Sequence, residues 1–227
     1  AAMAGAHAQV MPAAELAIGL RMTGITRSDV RKALWEDRVL IKTYGPRGTV
    51  HLLPARDLSR WIGALGAVPT KNPMSRDARL TIDQTNEVVT AIGEILLDDE
   101  LTIDELDLRI VEATGSWAGD RVMPAFGGYW PRWRQVIGTA ANRGVLCFGP
   151  NRGRKVTYTA PQRLLPEFTL ADPDEALTWL LTQYLQAYGP ATPASFAKWL
   201  AVPVGWANEL FASRRDQIER VALAGSE

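Results

Sequence analysis

The 227-residue sequence contains only one cysteine and two histidines. A single thiol, Cys147, excludes an internal disulfide framework and cannot by itself build a zinc site. No apolar run is long enough to span a bilayer, and the opening segment lacks the basic end and apolar stretch of a signal peptide. We therefore expect a cytoplasmic protein with reduced thiols, and neither a metal nor another cofactor.

The two ends of the sequence suggest a fragment. The chain begins at Ala1 rather than at a methionine, and it stops at Glu227 just after an apolar run that starts at Val221 and is typical of a strand. We therefore expect sequence to be missing at both ends. The 47% content of hydrophobic residues suffices for one large domain or for two to three small ones.

Charge is unevenly distributed, although 25 basic and 25 acidic residues cancel overall. Residues 81–120 carry one base and eleven acids, whereas residues 21–60 carry nine bases and four acids. Residues 121–165 carry eight bases and no acid. A basic surface attracts phosphates, so this distribution favours nucleic acid as a partner, although basic loops occur on many proteins.

Two segments share the pattern of a β-hairpin. Arg38 to Leu53 and Gly144 to Ala160 each contain two β-favouring runs around a turn rich in glycine and proline. Both turns carry arginine, namely Arg47 in the first and Arg152 and Arg154 in the second.

Helical patterns precede both hairpins. The first helix is capped by Thr26 or Ser28 and runs to about Glu36. Thr102 caps another, which Gly115 ends, and a third follows Pro131 to near Gly144. Helices followed by a two-stranded hairpin indicate a winged helix. We predict a mainly α fold with small β-hairpins (α+β), built from tandem winged helix-turn-helix units.

A third unit begins after Asp172. Its predicted helices are 174–188, 193–200 capped by Thr192, and 204–213, and residues 219–224 would begin another wing. The predicted units are 1–70, 71–165 and a truncated 166–227, joined by linkers at 68–79 and 159–174.

The basic hairpins are the first candidates for a DNA interface, because winged helices place a helix in the major groove and a hairpin on the backbone or in the minor groove. The candidate contacts are Arg47, His51, Arg132, Arg134, Arg152, Arg154 and Lys155. A solvated basic hairpin with no ligand remains the alternative. Winged helices also serve as protein-interaction modules, so fold alone does not decide function.

Two aromatic features remain open between core and surface. Helical spacing among apolar residues favours the core for Trp35, Trp179 and Trp199. Trp130 and Trp133 alternate with arginines and are open to either core packing or stacking on bases.

The histidines lie in two different settings. Strand alternation places His51 opposite the apolar Val50 and Leu52, facing either solvent or a groove. His7 and Gln9 lie two residues apart, just before a helix that begins near Pro12. In an extended segment their side chains emerge on one face, where an imidazole and an amide can hold a water molecule.

The runs HAQVMPAAELAIGLR and RGTVHLLPARDL, with the later YWPRWRQVIGTAANRGVL and YGPATPASFAKWL, resemble AlkZ/YcaQ-type winged-helix DNA glycosylases over nearly the whole chain. The resemblance implies tandem winged helices, a further C-terminal barrel-like domain, and hydrolysis of N-glycosidic bonds in damaged duplex DNA. In that family a Gln-x-Gln or Gln-x-Asp motif before this helix positions the hydrolytic water. Here it reads His7-Ala8-Gln9, which matches at the second position and differs at the first.

The resemblance makes His7 and Gln9 the catalytic candidates and double-stranded DNA the partner of a nucleoid-associated monomer. Alkylated purines leave readily, so the protein must chiefly stabilise an oxocarbenium-like sugar and place one water. Two other functions remain open. One is a non-catalytic DNA-binding regulator, and the other is a protein scaffold that uses the acidic block 81–120.

Overall fold

The computed structural model describes residues 3–70 and 74–222. It shows an α+β fold, as predicted. The helices are α1 (Met11–Gly19), α2 (Arg27–Trp35), α3 (Leu58–Ala67), α4 (Ile82–Asp98), α5 (Ile103–Thr114), α6 (Ile137–Asn142), α7 (Pro161–Leu164), α8 (Pro173–Tyr188), α9 (Pro193–Leu200) and α10 (Val204–Ser213). The strands are β1 (Ala6–His7), β2 (Leu40–Tyr44), β3 (Val50–Pro54), β4 (Leu101–Thr102), β5 (Arg121–Ala125), β6 (Gly128–Pro131), β7 (Cys147–Arg152) and β8 (Lys155–Thr159).

Two antiparallel three-stranded sheets share one topology. In the first, of order β1-β3-β2, a two-residue strand is followed by helices α1 and α2 and then by the hairpin β2–β3. In the second, of order β4-β8-β7, the two-residue β4 is followed by α5, later by α6, and then by the hairpin β7–β8. In both, the second hairpin strand pairs with the short strand. The tandem-unit interpretation requires such a repeat.

Side-chain caps fix the starts of several helices. Thr26 and Thr102 each accept a hydrogen bond from the backbone N–H three residues on, and Asp29 and Glu105 bond back to the cap. These capping boxes satisfy backbone donors that the first helical turn leaves unpaired. They confirm both predicted caps and select Thr26 over Ser28.

A buried carboxylate joins the first two helices. The side chain of Glu15 on α1 is fully buried and accepts hydrogen bonds from Arg27 and Arg31 of α2, both at 2.7 Å. Burial alone would raise the pKa of Glu15, but the two guanidinium groups hold it below its usual value. This triad joins α1 to α2 in addition to the apolar contacts that both helices make with the first core.

Apolar side chains form two cores, and the first sheet lies between them. One face of β3 contributes Val50 and Leu52 to a core with α2, α4, α5 and α6, while Leu53 belongs to a core with α3, α8, α9 and α10. Both cores draw on more than one of the three predicted units. The unit boundaries at 70 and 165 therefore stay predictions.

The later helices agree closely with the predicted ones. The segment after Pro131 begins as a 3-10 turn, Arg132–Val136, before α6. The strand expected to begin another wing at residues 219–224 is not found in its described part, since residues 219–222 are irregular, and 223–224 lie outside the described residues. Within the described ranges, no helix combines the length and apolar character needed to cross a membrane.

Candidate functional site

The first candidate pair lies on the edge strand β1 and its continuation. β1 pairs with β3 so that His7 lies opposite His51, and the Ala8 N–H donates to the Val50 carbonyl oxygen at 2.7 Å. Ala6 and Ala8 are buried whereas His7 and Gln9 are exposed. This alternation places the imidazole and the amide on the accessible side, as predicted for an extended segment.

The Gln9 side chain is tied to the neighbouring strand. Its Oε1 accepts a hydrogen bond from the Val50 backbone N–H at 3.4 Å. A backbone N–H can only donate, so the oxygen must be the acceptor there, and the Gln9 amide nitrogen keeps two N–H donors for a ligand. The amide is thus oriented by the sheet while its donors remain accessible.

His51 is buried rather than solvent-facing, with 4% of its surface exposed, which corrects that part of the expectation. Strand alternation does place it opposite Val50 and Leu52, but both faces of β3 are covered. Its ring lies edge to face with the ring of His7, with centroids 5.4 Å apart. The buried His51 ring therefore lies directly beneath His7 and forms the floor of the candidate site.

His51 is held as a neutral ring. Its Nδ1 lies 2.8 Å from the Thr49 carbonyl oxygen, which can only accept, so Nδ1 carries the proton. Burial lowers the pKa of His51 to about 4, and the bond to Thr49 only partly offsets this shift. Gly45 closes the space on this side, because a Cβ there would lie 2.7 Å from His51 Nδ1.

The lowered pKa of His51 predicts a stability that depends on pH. The unfolded ring, with its ordinary pKa of 6.5, binds a proton more readily than the folded one. The contribution is therefore fully present above about pH 6.5 and is lost as pH falls towards 4. We expect the free energy of unfolding to fall by about 2 kcal/mol between about pH 7 and pH 5.

Urea denaturation at the two pH values measures this difference. His51→Asn and His51→Phe remove the titrating group and should abolish most of it. Glu15, Asp29 and Glu105 have lowered pKa values, so they contribute at lower pH than this interval. An undiminished pH dependence in both variants would show that His51 is not its source.

Arg47 lies at the tip of the first hairpin, as predicted, with a left-handed φ of 62°. Its guanidinium donates to the Trp199 carbonyl oxygen at 3.2 Å. The tip therefore contacts the C-terminal end of α9 in the third predicted unit. The side chain remains exposed and retains further donors for a phosphate.

Four of the eight bases in 121–165 form ion pairs with the acidic block 81–120. The pairs are Arg121–Asp107, Arg132–Asp120, Arg152–Glu105 and Lys155–Asp104, with N–O distances of 2.9, 3.2, 2.8 and 3.0 Å. This segment thus lacks the uninterrupted cationic surface that its composition suggested. Within the described part of the chain, Arg134 and Arg154 make no ion pair.

The tandem tryptophans divide between core and surface. Trp133 is fully buried and donates through Nε1 to Asp107 at 2.6 Å, whereas Trp130 is 40% exposed. The Arg134 guanidinium lies 4.1 Å from the centroid of the Trp130 ring. Most of the Arg132 guanidinium is already used within the protein, because besides its ion pair with Asp120 it donates to the Asp77 and Ala78 carbonyl oxygens.

A third hairpin, β5–β6, was not anticipated from the sequence. It forms a separate two-stranded sheet whose turn is Phe126–Gly127. The segment PAFGGYWP carries the available signal, since a glycine pair lies between two β-favouring runs.

Among the described residues, no cluster of three or more His, Cys, Asp or Glu side chains is arranged to hold a metal ion.

Comparisons with known proteins agree with this picture. A family model described as DNA glycosylase AlkZ-like matches residues 1–227. The chain is 34% identical over 204 residues to the interstrand DNA cross-link repair glycosylase of Streptomyces sahachiroi, covering 88% of this chain and 53% of that protein. It is similar to the solved structure of Streptomyces sahachiroi DNA glycosylase AlkZ, with a TM-score of 0.82 and 32% identity, covering 95% of this chain and 58% of that one. The chain thus spans about half the length of these relatives.

Proposed function

Because the chain belongs to the AlkZ-like DNA glycosylase family, we propose that its protein hydrolyses the N-glycosidic bond of alkylated purines in duplex DNA. It acts as a monomer at the nucleoid. The observation that carries the proposal is the exposed pair His7 and Gln9 on the edge of the first sheet, at the place of the family's water-positioning motif. The nearby Arg47 offers a cation for the DNA backbone.

The proposed reaction needs a water molecule and a site that tolerates positive charge on the sugar. The water oxygen attacks the anomeric carbon, the bond to the purine nitrogen breaks, and its electron pair neutralises the cationic alkylated base. The His7 imidazole accepts the proton that the water loses, and the Gln9 amide orients the water by hydrogen bonding.

The neutral floor of the site suits this chemistry. A charged imidazolium at His51 would repel an oxocarbenium-like sugar, and burial instead keeps that ring neutral, with a pKa of about 4. Gln9 is likewise neutral. His7 and Gln9 therefore place the water over a neutral floor. The only positive charge that the reaction adds beside the developing cation is the proton that His7 takes up.

Release of N7-methylguanine from an alkylated duplex by the full-length protein tests the proposal. Under single-turnover conditions we expect Gln9→Ala to slow release about 100-fold and His7→Ala by a similar factor, as is usual when one pre-oriented polar group is lost. Gln186→Ala is the matched control, because it makes the same change at an exposed glutamine on α8.

Each alternative function has its own signature. Absence of release by the wild type, with salt-dependent and sequence-selective duplex binding, would indicate a DNA-binding regulator instead. Absence of duplex binding even at low salt would indicate a protein scaffold. Equal release by the wild type and both site variants would contradict the assignment of His7 and Gln9.

A further inference from the structure

The β5–β6 hairpin presents aromatic side chains to solvent. Phe126, at the turn, is wholly exposed, and Tyr129 and Trp130 are 62% and 40% exposed. The turn is completed by Gly127, whose φ of 82° suits glycine. Three exposed aromatic rings within five residues of one hairpin are typical of a binding element rather than of scattered surface residues.

The register of the hairpin spreads these rings over its tip and both faces. Trp130 pairs with Met123 and Tyr129 with Pro124, so the two rings lie on opposite faces of the ribbon. No core packs around the tip, since a Cβ added at Gly127 would meet no atom within 4 Å. The aromatic tip therefore does not serve the packing of the described fold.

The base of the hairpin, in contrast, is firmly attached. Arg121 at its start is ion-paired with Asp107 at 2.9 Å, and Asp107 also accepts from the buried Trp133 at 2.6 Å. Arg132, directly after the second strand, pairs with Asp120 at 3.2 Å. The base of the hairpin is thus anchored to α5 and to the segment before β5.

Charge at the hairpin selects an anionic, base-bearing partner. Arg134 stacks on Trp130 at 4.1 Å, and it makes no ion pair within the described ranges. The hairpin sequence 121–131 contains no acid, and the acids at its base, Asp107 and Asp120, are ion-paired with Arg121 and Arg132. DNA-bending proteins insert apolar side chains such as phenylalanine between base steps and use arginine to contact the adjoining groove.

Arg134, which stacks on the Trp130 ring of the hairpin, is linked to the first sheet. Arg134 lies close enough to the Tyr44 hydroxyl to counteract the increase in pKa that burial causes there. Tyr44 pairs with Val50, whose N–H bonds the side chain of Gln9. The β2–β3 strand pair therefore lies between Arg134, which stacks on Trp130, and the Gln9 amide, which orients the water.

We propose that the β5–β6 hairpin is a DNA-inserting element, in which Phe126 enters the base stack of a duplex and Tyr129 and the Trp130–Arg134 pair contact the unstacked bases and the backbone. This proposal rests on the proposed function for the identity of the partner. It adds the element that distorts the duplex so that the sugar of the damaged nucleotide reaches His7 and Gln9.

Binding of the full-length protein to a duplex with one mismatched 2-aminopurine tests the insertion. We expect Phe126→Ala to weaken binding about tenfold, as the loss of one stacking side chain does, and to remove the rise in 2-aminopurine fluorescence that unstacking causes. The slope of affinity against salt should stay unchanged, since no charge is lost. Phe126→Trp should restore both signals.

Leu108→Ala is the matched control, because Leu108 is an apolar side chain that is 73% exposed on α5, outside the hairpin. Wild-type affinity and wild-type fluorescence in Phe126→Ala would overturn the proposal, and would leave a protein partner as the occupant of the tip. The result is separable from base release. An active glycosylase whose binding ignores Phe126 contradicts only the insertion, whereas Phe126-dependent binding without release contradicts only the glycosylase.

Discussion

Replacing Trp133 with alanine is expected to lower the free energy of unfolding by about 4 kcal/mol. Trp133 is fully buried in the first core, so its removal leaves the largest cavity that a single truncation can make there. The substitution also removes the donor that Asp107 accepts at 2.6 Å, leaving Arg121 as that carboxylate's remaining partner. The cavity and the lost hydrogen bond both lower the free energy of unfolding.

Denaturation in urea, followed by far-UV circular dichroism, measures the effect. Trp133→Phe keeps most of the apolar volume and removes the N–H, so we expect a loss of about 2 kcal/mol. Trp130→Ala is the control on the same chain segment, and it should cost only about 1 kcal/mol, because that ring is 40% exposed and stacks on Arg134. Equal effects at 130 and 133 would refute the assignment of Trp133 to the core.

The elements that could be predicted from the sequence are those with local causes. The capping threonines Thr26 and Thr102 satisfy backbone groups within four residues of themselves, so their sequence pattern alone locates the helix starts. The two basic hairpins follow from glycine and proline in their turns. These features depend on neighbours in the chain, and the structure confirms them.

Burial of His51 could not be predicted, because it depends on contacts distant in sequence. A strand with one face in a core normally leaves the other face in water, which is the situation that period-two alternation describes. Here α3 and α8 to α10 form a second core against the opposite face of the first sheet. Leu53, on the same face of β3 as His51, packs into that core. His51 itself is covered by Gly5 and His7 of the N-terminal segment and by Gly45.

Charge composition predicted a surface that pairing partly removes. The basic segment 121–165 and the acidic segment 81–120 are adjacent in the fold, and four ion pairs join them. Composition counts charges but not their partners. The four bases of this segment that make no ion pair within the described ranges, namely Arg134, Arg143, Arg154 and Arg163, could therefore be recognised only in the structure. The exposure of Phe126 could not be predicted for a related reason, since it depends on which residues distant in sequence pack against the hairpin.

A second large effect is expected at Phe196, where alanine should lower the free energy of unfolding by about 4 kcal/mol. Phe196 is fully buried, and its ring contacts those of Tyr184, Trp199 and Phe211 at centroid distances of 5.0, 5.8 and 5.7 Å. Phe126→Ala is the control, because it is the same chemical change at a wholly exposed ring and should leave stability within about 0.5 kcal/mol.

The unfolding transition of Phe196→Ala also tests whether the third predicted unit unfolds independently of the rest of the chain. The second core contains Trp61 and Ile62 of α3 together with the third predicted unit, so a loss at Phe196 must be shared by elements before and after it in the chain. We therefore expect tryptophan fluorescence and far-UV circular dichroism to report one coincident transition in Phe196→Ala, shifted to lower denaturant. A separate early transition would instead show that residues beyond 166 unfold as an independent domain, and that the contact of Arg47 with Trp199 joins two units that are stable by themselves.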